Sequence, residues 1–227
     1  MKHRIVSFSE ETISREFIIY QNKVFDYFNI PLEQIIYNDY RDGGHSGAIN
    51  NYLANNTDWD YLTIFDLDCI PTKGDCVDNA LNLILDGNTL YGNIQASNVF
   101  PDIDPYPSPP FIAPSFFNIS RQAWDKNPYK NFSATKYPNP DGHIVEADVA
   151  EVISRECEKV GIRIVYAYPT NCSTDHTWKY GGHFGYPKFE YGNGTEFESN
   201  TYHNFQIRIQ DKSELFIPYC KKVLNEN

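Results

Sequence analysis

The sequence predicts an α/β fold: a single domain on a mostly parallel sheet with helices on both faces. Three observations predict it. Short apolar runs alternate with stretches of helical periodicity through the first hundred residues. The run Tyr61 to Phe65 is almost continuously apolar, as in a strand buried on both faces. That run ends in an acidic pair, Asp66 and Asp68, where open α/β sheets bind ligands at the carboxyl ends of their strands.

Arg4 to Ser9 reads as the first strand. From Thr12 to Phe28 the apolar positions Ile13, Phe17, Tyr20, Val24 and Phe28 recur every three or four residues, which predicts a helix. Gln34 to Asp39 is the second strand, and Ser46 is placed to cap a helix through Asn55 after the Gly43-Gly44 turn. Tyr61 to Phe65 is the third strand. Asp75 caps a helix with Val77, Ala80, Leu81 and Ile84 on one face, and Leu90 to Val99 is another strand. Six prolines between Pro101 and Pro114 exclude a helix or a central strand there. Ala113 to Ile119 is a strand followed by a short helix from Arg121. Val145, Val149, Val152, Ile153, Cys157 and Val160 mark a helix that Gly161 stops. Ile162 to Tyr168 is the last clear strand, ahead of a tail rich in Gly, His and Tyr. Neither a repeat nor a domain boundary is visible.

The 227 residues suffice for one well-filled domain and carry a formal charge of −11, which argues against a general nucleic-acid coat. Hydrophobic residues make up 41%, a globular composition. Five cysteines (69, 76, 157, 172 and 220) are an odd number without C-x-x-C spacing, so a reduced compartment is expected. Five N-x-S/T sequons read as accidental in an Asn-rich chain. No signal peptide and no apolar stretch near the ~20 residues of a membrane span are seen. The expectation is a soluble, cytoplasmic protein, in the host-cell cytoplasm if its source is viral.

Alternation along a strand would place Asp66 and Asp68 on one side. Two carboxylates there suit a hard divalent cation, Mn²⁺ or Mg²⁺, carrying a diphosphate that so acidic a protein could not hold alone. Cys69 beside them reads as a small buried filler.

The order of motifs resembles the GT-A glycosyltransferases, which transfer a sugar from a nucleoside diphosphate donor. Gly47-Ala48-Ile49-Asn50-Asn51 followed by Asp60 to Asp68 is similar to their helix and DxD-bearing strand. Pro114 to Arg121 looks like their central strand and following turn. Glu146-Ala147-Asp148, leading into a helix with Arg155 and then Gly161 to Val165, resembles the acidic motif of the large inverting, family-2-like branch. The resemblance spans roughly residues 4–168. It implies a Rossmann-like sheet, a nucleotide-sugar-binding half over 1–100 and an acceptor-binding half over 101–227.

The same resemblance implies roles. Asp68 would touch the metal, with Asp66 on the metal or the donor ribose. A late His often completes such a site; His176, His183 and His203 are candidates, and His203 is preferred because a strand-like return would bring it back to the sheet. Ser7, Phe8, Ser9 and Asp39 would hold base and ribose, although Ser9 also reads as a helix cap. Arg41 and His45 would reach the donor phosphates, unless Asp42 pairs with Arg41. Glu146 and Asp148 are candidates for general base, a reading preferred over the alternative that they cap the helix dipole. Ala147 separates two acids that are usually adjacent, so which of them acts is left open. His183 to Lys188 is similar to a phosphate-binding tail of some retaining members, at a different spacing, and stereochemistry is open too.

The acceptor implied is a glycan or lipid-linked sugar; a hydroxymethylated base of phage-type DNA is the alternative, with Lys126, Lys130 and Lys136 as a basic strip. Two other functions compete. Asp66-Leu67-Asp68 also resembles the nucleophile motif of haloacid-dehalogenase-like phosphatases, but Ile70 stands where that family has Thr or Val, and two strand units precede the motif. A non-catalytic nucleotide-sugar-binding module is the other.

Overall fold

The computed structural model describes residues 1–96, 107–173, 177–205 and 214–226. Its main sheet contains β1 (His3–Glu10), β2 (Glu33–Tyr37), β3 (Tyr61–Asp66), β5 (Thr89–Gln95), β6 (Phe111–Ser120) and β9 (Arg163–Ala167), ordered β2-β1-β3-β6-β5-β9. β1 pairs in parallel with β2 and β3, and β5 in parallel with β9. β6 is antiparallel to both neighbours, so it alone runs against the other five.

The main sheet is therefore mixed, with its two β6 pairings antiparallel and the other three parallel. Every pairing in the smaller sheets is also antiparallel, which makes seven of the ten pairings among the described residues antiparallel. The reversal at β6 has a chemical reason. A parallel neighbour needs a crossover, usually helical, and the stretch between β5 and β6 holds most of the six prolines.

Alternating side chains divide the core between two faces. Ile64 and Phe117 pack with Val6, Phe8 and Ile153 on one, while Phe65 and Phe116 pack with Ile5, Val77 and Phe216 on the other. All ten residues of β6 are buried, and each large apolar side chain so placed stabilises by about 1.5–3 kcal/mol.

α1 (Arg15–Tyr27) begins after Ser14, whose Oγ accepts from the Glu16 N–H at 3.3 Å. The helix expected to be capped by Ser46 starts earlier. α2 (Asp39–Asp42) is capped by Asn38 and ends at Gly43, whose left-handed φ of 73° turns the chain directly into α3 (Gly44–Asn55). A Cβ at Gly47 would lie 2.0 Å from the Asp42 carbonyl oxygen, so that junction admits only glycine. α4 (Cys76–Ile84) follows Asp75, whose side chain makes no cap hydrogen bond.

α5 (Arg121–Lys126) follows β6 directly. β7 (Lys136–Pro138) and β8 (Ile144–Glu146) then form a two-stranded sheet that contains Val145, so α6 runs only over Glu151–Lys159. The expected strand to Val99 is seen to Gln95; residues 97–106 of that strand and of the proline-rich stretch lie outside the described residues, as does His176.

The tail is not featureless. β10 (Pro169–Cys172), β13 (Thr195–Phe197) and β14 (Thr201–His203) form a sheet with β4 (Cys69–Pro71), and β11 (Thr177–Tyr180) pairs with β12 (Phe189–Gly192). α7 (Phe216–Leu224) packs beside α1. These strands are three or four residues long, too short for alternation to declare itself in the sequence.

A candidate metal centre in an acidic cavity

The acidic pair is not displayed by strand alternation. β3 ends at Asp66, and Asp68 sits in the turn before β4. Leu67 between them lines the same cavity. Gln21, wholly buried on α1, holds the turn: its amide donates to the carbonyl oxygens of Asp66 (2.8 Å) and Cys69 (3.0 Å). Ser7 Oγ in turn donates to Gln21 Oε1 at 2.9 Å.

β14 completes the site. It pairs with β4 so that His203 lies opposite Cys69, and Asn204 N–H donates to the Asp68 carbonyl oxygen at 2.8 Å. His203 Nε2 and Asp68 Oδ1 are then 3.0 Å apart, both residues being buried. One ligand atom from each of Asp66, Asp68 and His203 lies within 4.8 Å of the others, which makes a possible Asp-Asp-His metal-binding triad. Two carboxylates and an imidazole suit Mn²⁺ or Mg²⁺ in donor type. His203 Nδ1 is buried with no hydrogen-bond partner among the described residues.

The surrounding cavity measures about 480 Å³. Phe8, Tyr37, His45, Gln95, Asp148, Val149 and Phe205 line it together with the triad. His45 stacks on Tyr37 with centroids 6.0 Å apart, and its Nε2 is 3.1 Å from Asp66 Oδ1. Glu10, Asp66, Asp68 and Asp148 make the lining strongly acidic, with His45 and His203 the basic groups among them.

Asp148 is held by three groups. Its Oδ1 accepts from the Val149 N–H (2.7 Å), its Oδ2 from the Gln95 amide (3.0 Å), and its own N–H donates to Glu151 Oε2 (2.9 Å). Burial pushes its pKa above the ordinary carboxylate value, and Glu151 and Asp66 push the same way. The Val149 N–H and His45 oppose them.

Of the residues singled out in the sequence, Phe8, His45, Asp66, Asp68, Asp148 and His203 meet in this cavity. The other described candidates do not line it. Ser7 faces Gln21, and Ser9 accepts from the Gln34 amide inside β1, so it caps no helix. Asp39 is exposed at the start of α2. Arg41 turns its exposed guanidinium onto Asp42, at 3.2 and 3.0 Å. Glu146 is exposed on β8. His183 is exposed as well. Lys126 donates to Asn88, and Lys130 lies 3.7 Å from Asp125, so these two members of the basic strip are engaged locally. Burial raises the Cys69 thiol well above its ordinary pKa, which makes it inert filler.

Gln21 and Gln95 were not legible as site residues, because a lone Gln on a helix or at a strand end carries no pattern. No family model matches the chain, and no curated protein matches it. Among the described residues, no helix is long and apolar enough to cross a membrane.

Proposed function

We propose that this chain is a metal-dependent glycosyltransferase of GT-A type, moving a sugar from a nucleoside diphosphate donor to an acceptor hydroxyl. The observation that carries this reading is the meeting of Asp66, Asp68 and His203 beside a separately held carboxylate, Asp148, in one cavity. The cavity takes in the ends of β1, β2 and β3, where α/β sheets bind nucleotides.

Asp66, Asp68 and His203 would hold Mn²⁺ or Mg²⁺, which when bound supplies positive charge to a departing diphosphate. Asp148 is the better candidate for base, since it faces the cavity whereas Glu146 does not. Its carboxylate takes the proton of the acceptor hydroxyl as that oxygen bonds to the anomeric carbon. The bond from that carbon to the diphosphate oxygen breaks, and its electron pair leaves with the diphosphate. Desolvation makes Asp148 a stronger base than an exposed aspartate. Phe8 and Tyr37 offer ring surface for a base or sugar. An acidic lining favours an uncharged acceptor such as a glycan over a nucleic acid.

The test is thermal stability against a panel of nucleotide sugars with and without Mn²⁺. One nucleotide that raises the melting temperature only with Mn²⁺, and is turned over with an acceptor, supports the reading and names the donor. Binding without turnover across acceptor classes would leave a nucleotide-sugar-binding module. Indifference to every donor and to Mn²⁺ would overturn the proposal.

A further inference from the structure

Asp148 lies two residues ahead of Ala150, the N-cap of α6, so its side chain is not the cap of that helix. Asp148-x-x-Glu151 has the spacing of a capping box, in which the first side chain reaches forward and the Glu reaches back. Only the backward half is made: Glu151 Oε2 accepts from the Asp148 N–H at 2.9 Å. Glu151 is wholly buried and is itself fixed by Arg155 Nη2 at 3.2 Å and by the Tyr137 hydroxyl. The backbone of Asp148 is thereby anchored while its side chain is released from capping. Oδ2 of the released carboxylate meets the amide of Gln95, 53 residues earlier in the chain.

Gln95 reaches that point through a break in the sheet. The β5–β6 register shifts between Gly92 and Ile94, the kind of irregularity that re-aims the side chains beyond it. A Cβ at Gly92 would fall 1.9 Å from the Phe116 carbonyl oxygen, so the close approach requires glycine. Gln95, last residue of β5, ends on the cavity wall.

We propose that Gln95 is a positioning residue of this site: its amide grips Oδ2 of Asp148 and keeps that carboxylate turned into the cavity. Gln95 matters to catalysis only if Asp148 is the base, as proposed above; its grip on the carboxylate does not depend on that. A hydrogen bond to the ionised form favours ionisation. The amide thus offsets part of what burial, Glu151 and Asp66 do in the other direction, alongside the Val149 N–H and His45; Tyr191 is a further titratable group near Asp148.

The test compares the full chain with Gln95→Leu, which keeps bulk but donates nothing, and Gln95→Asn, which keeps the amide one methylene short. Two readouts apply: ¹³C titration of the Asp148 carboxyl, and Mn²⁺-dependent transfer resolved into kcat and donor KM. Both variants should move the Asp148 titration to higher pH by about one unit, the size of a charge-assisted hydrogen bond. Mn²⁺ affinity should stay within about twofold, showing an intact fold, while kcat falls roughly tenfold at unchanged donor KM. An Asp148 titration unmoved in both variants would overturn the proposal. If Asp148→Asn retains full activity, or the wild type transfers nothing, the base assignment fails, and the carboxyl titration alone decides the role of Gln95.

Discussion

Asp66 and Asp68 lie two positions apart, yet they meet because the Asp66–Cys69 turn is pinned from behind by Gln21 and closed from the side by His203. Asp68→Ala should therefore weaken Mn²⁺ binding by at least about 100-fold, since it removes a ligand rather than a supporting contact. Calorimetric titration checks this, and unchanged affinity would exclude Asp68 from the metal. Asp148 carries a second prediction, with its sign set by its environment. Its pKa is raised above the ordinary 3.8, and a base works only when ionised. Transfer should be full above the raised pKa and fall as pH drops through it, so the acid limb of kcat lies higher than for an ordinary aspartate. A limb at or below the ordinary value would count against Asp148. Asp148→Asn should lower kcat by roughly 10²–10⁴. The acidic pair and both candidate bases were visible in the sequence as chemistry. What singled out Asp148 over Glu146 was burial, which two acids of the same motif do not reveal.

At the scale of elements, α6 is the one whose start matters most. Glu151 and Arg155 form a buried pair one helical turn apart, and Arg155 also donates to the carbonyl oxygens of Pro109 and Pro110 ahead of β6. Arg155→Ala would remove the cation that pairs with buried Glu151, next to the proposed base Asp148. The expected loss is about 3–5 kcal/mol in urea unfolding, with Arg155→Lys recovering only part of it because an ammonium cannot reproduce the fork. A change below 1 kcal/mol would mean that this pair holds nothing in place. The helices were legible where their apolar period was long, as in α1. They were misjudged where Val145 and Val149 continued the period of α6 by coincidence, since those residues lie in β8 and in the turn after it. Ser46 misled in the same way: a good capping residue lost to a glycine that allows the preceding turn.

For the whole molecule, the candidate metal centre ties the main sheet to the tail. Asp66 and Asp68 come from residues before 70, whereas His203 arrives through β14, 135 residues later than Asp68. Mn²⁺ at 100 times its dissociation constant should add about 2.7 kcal/mol, which for a chain of this size raises the melting temperature by roughly 5–11 °C. EDTA should reverse the shift, and Asp68→Ala should abolish it. A shift of the same size in that variant would place Mn²⁺ elsewhere. The acidic net charge also makes the shift salt-dependent, since screening weakens attraction of the cation from a distance.

Local periodicity sufficed for β1, α1, β3 and β6, because each is decided by neighbours within a turn or a strand; the acidic pair was legible as chemistry, but strand alternation did not bring its carboxylates together. Hydrophobic alternation is the same for either direction of β6, and the return of β14 is decided by which edge the chain finds free in space. Short aromatic strands in a glycine-rich tail leave no period to count. His203 was a reasoned choice among three histidines, and only the pairing of β14 with β4 gave it a place beside Asp68. Gln95 has no trace in the sequence at all, because its meaning is a single hydrogen bond to a residue that folding, not chain order, brings within 3.0 Å.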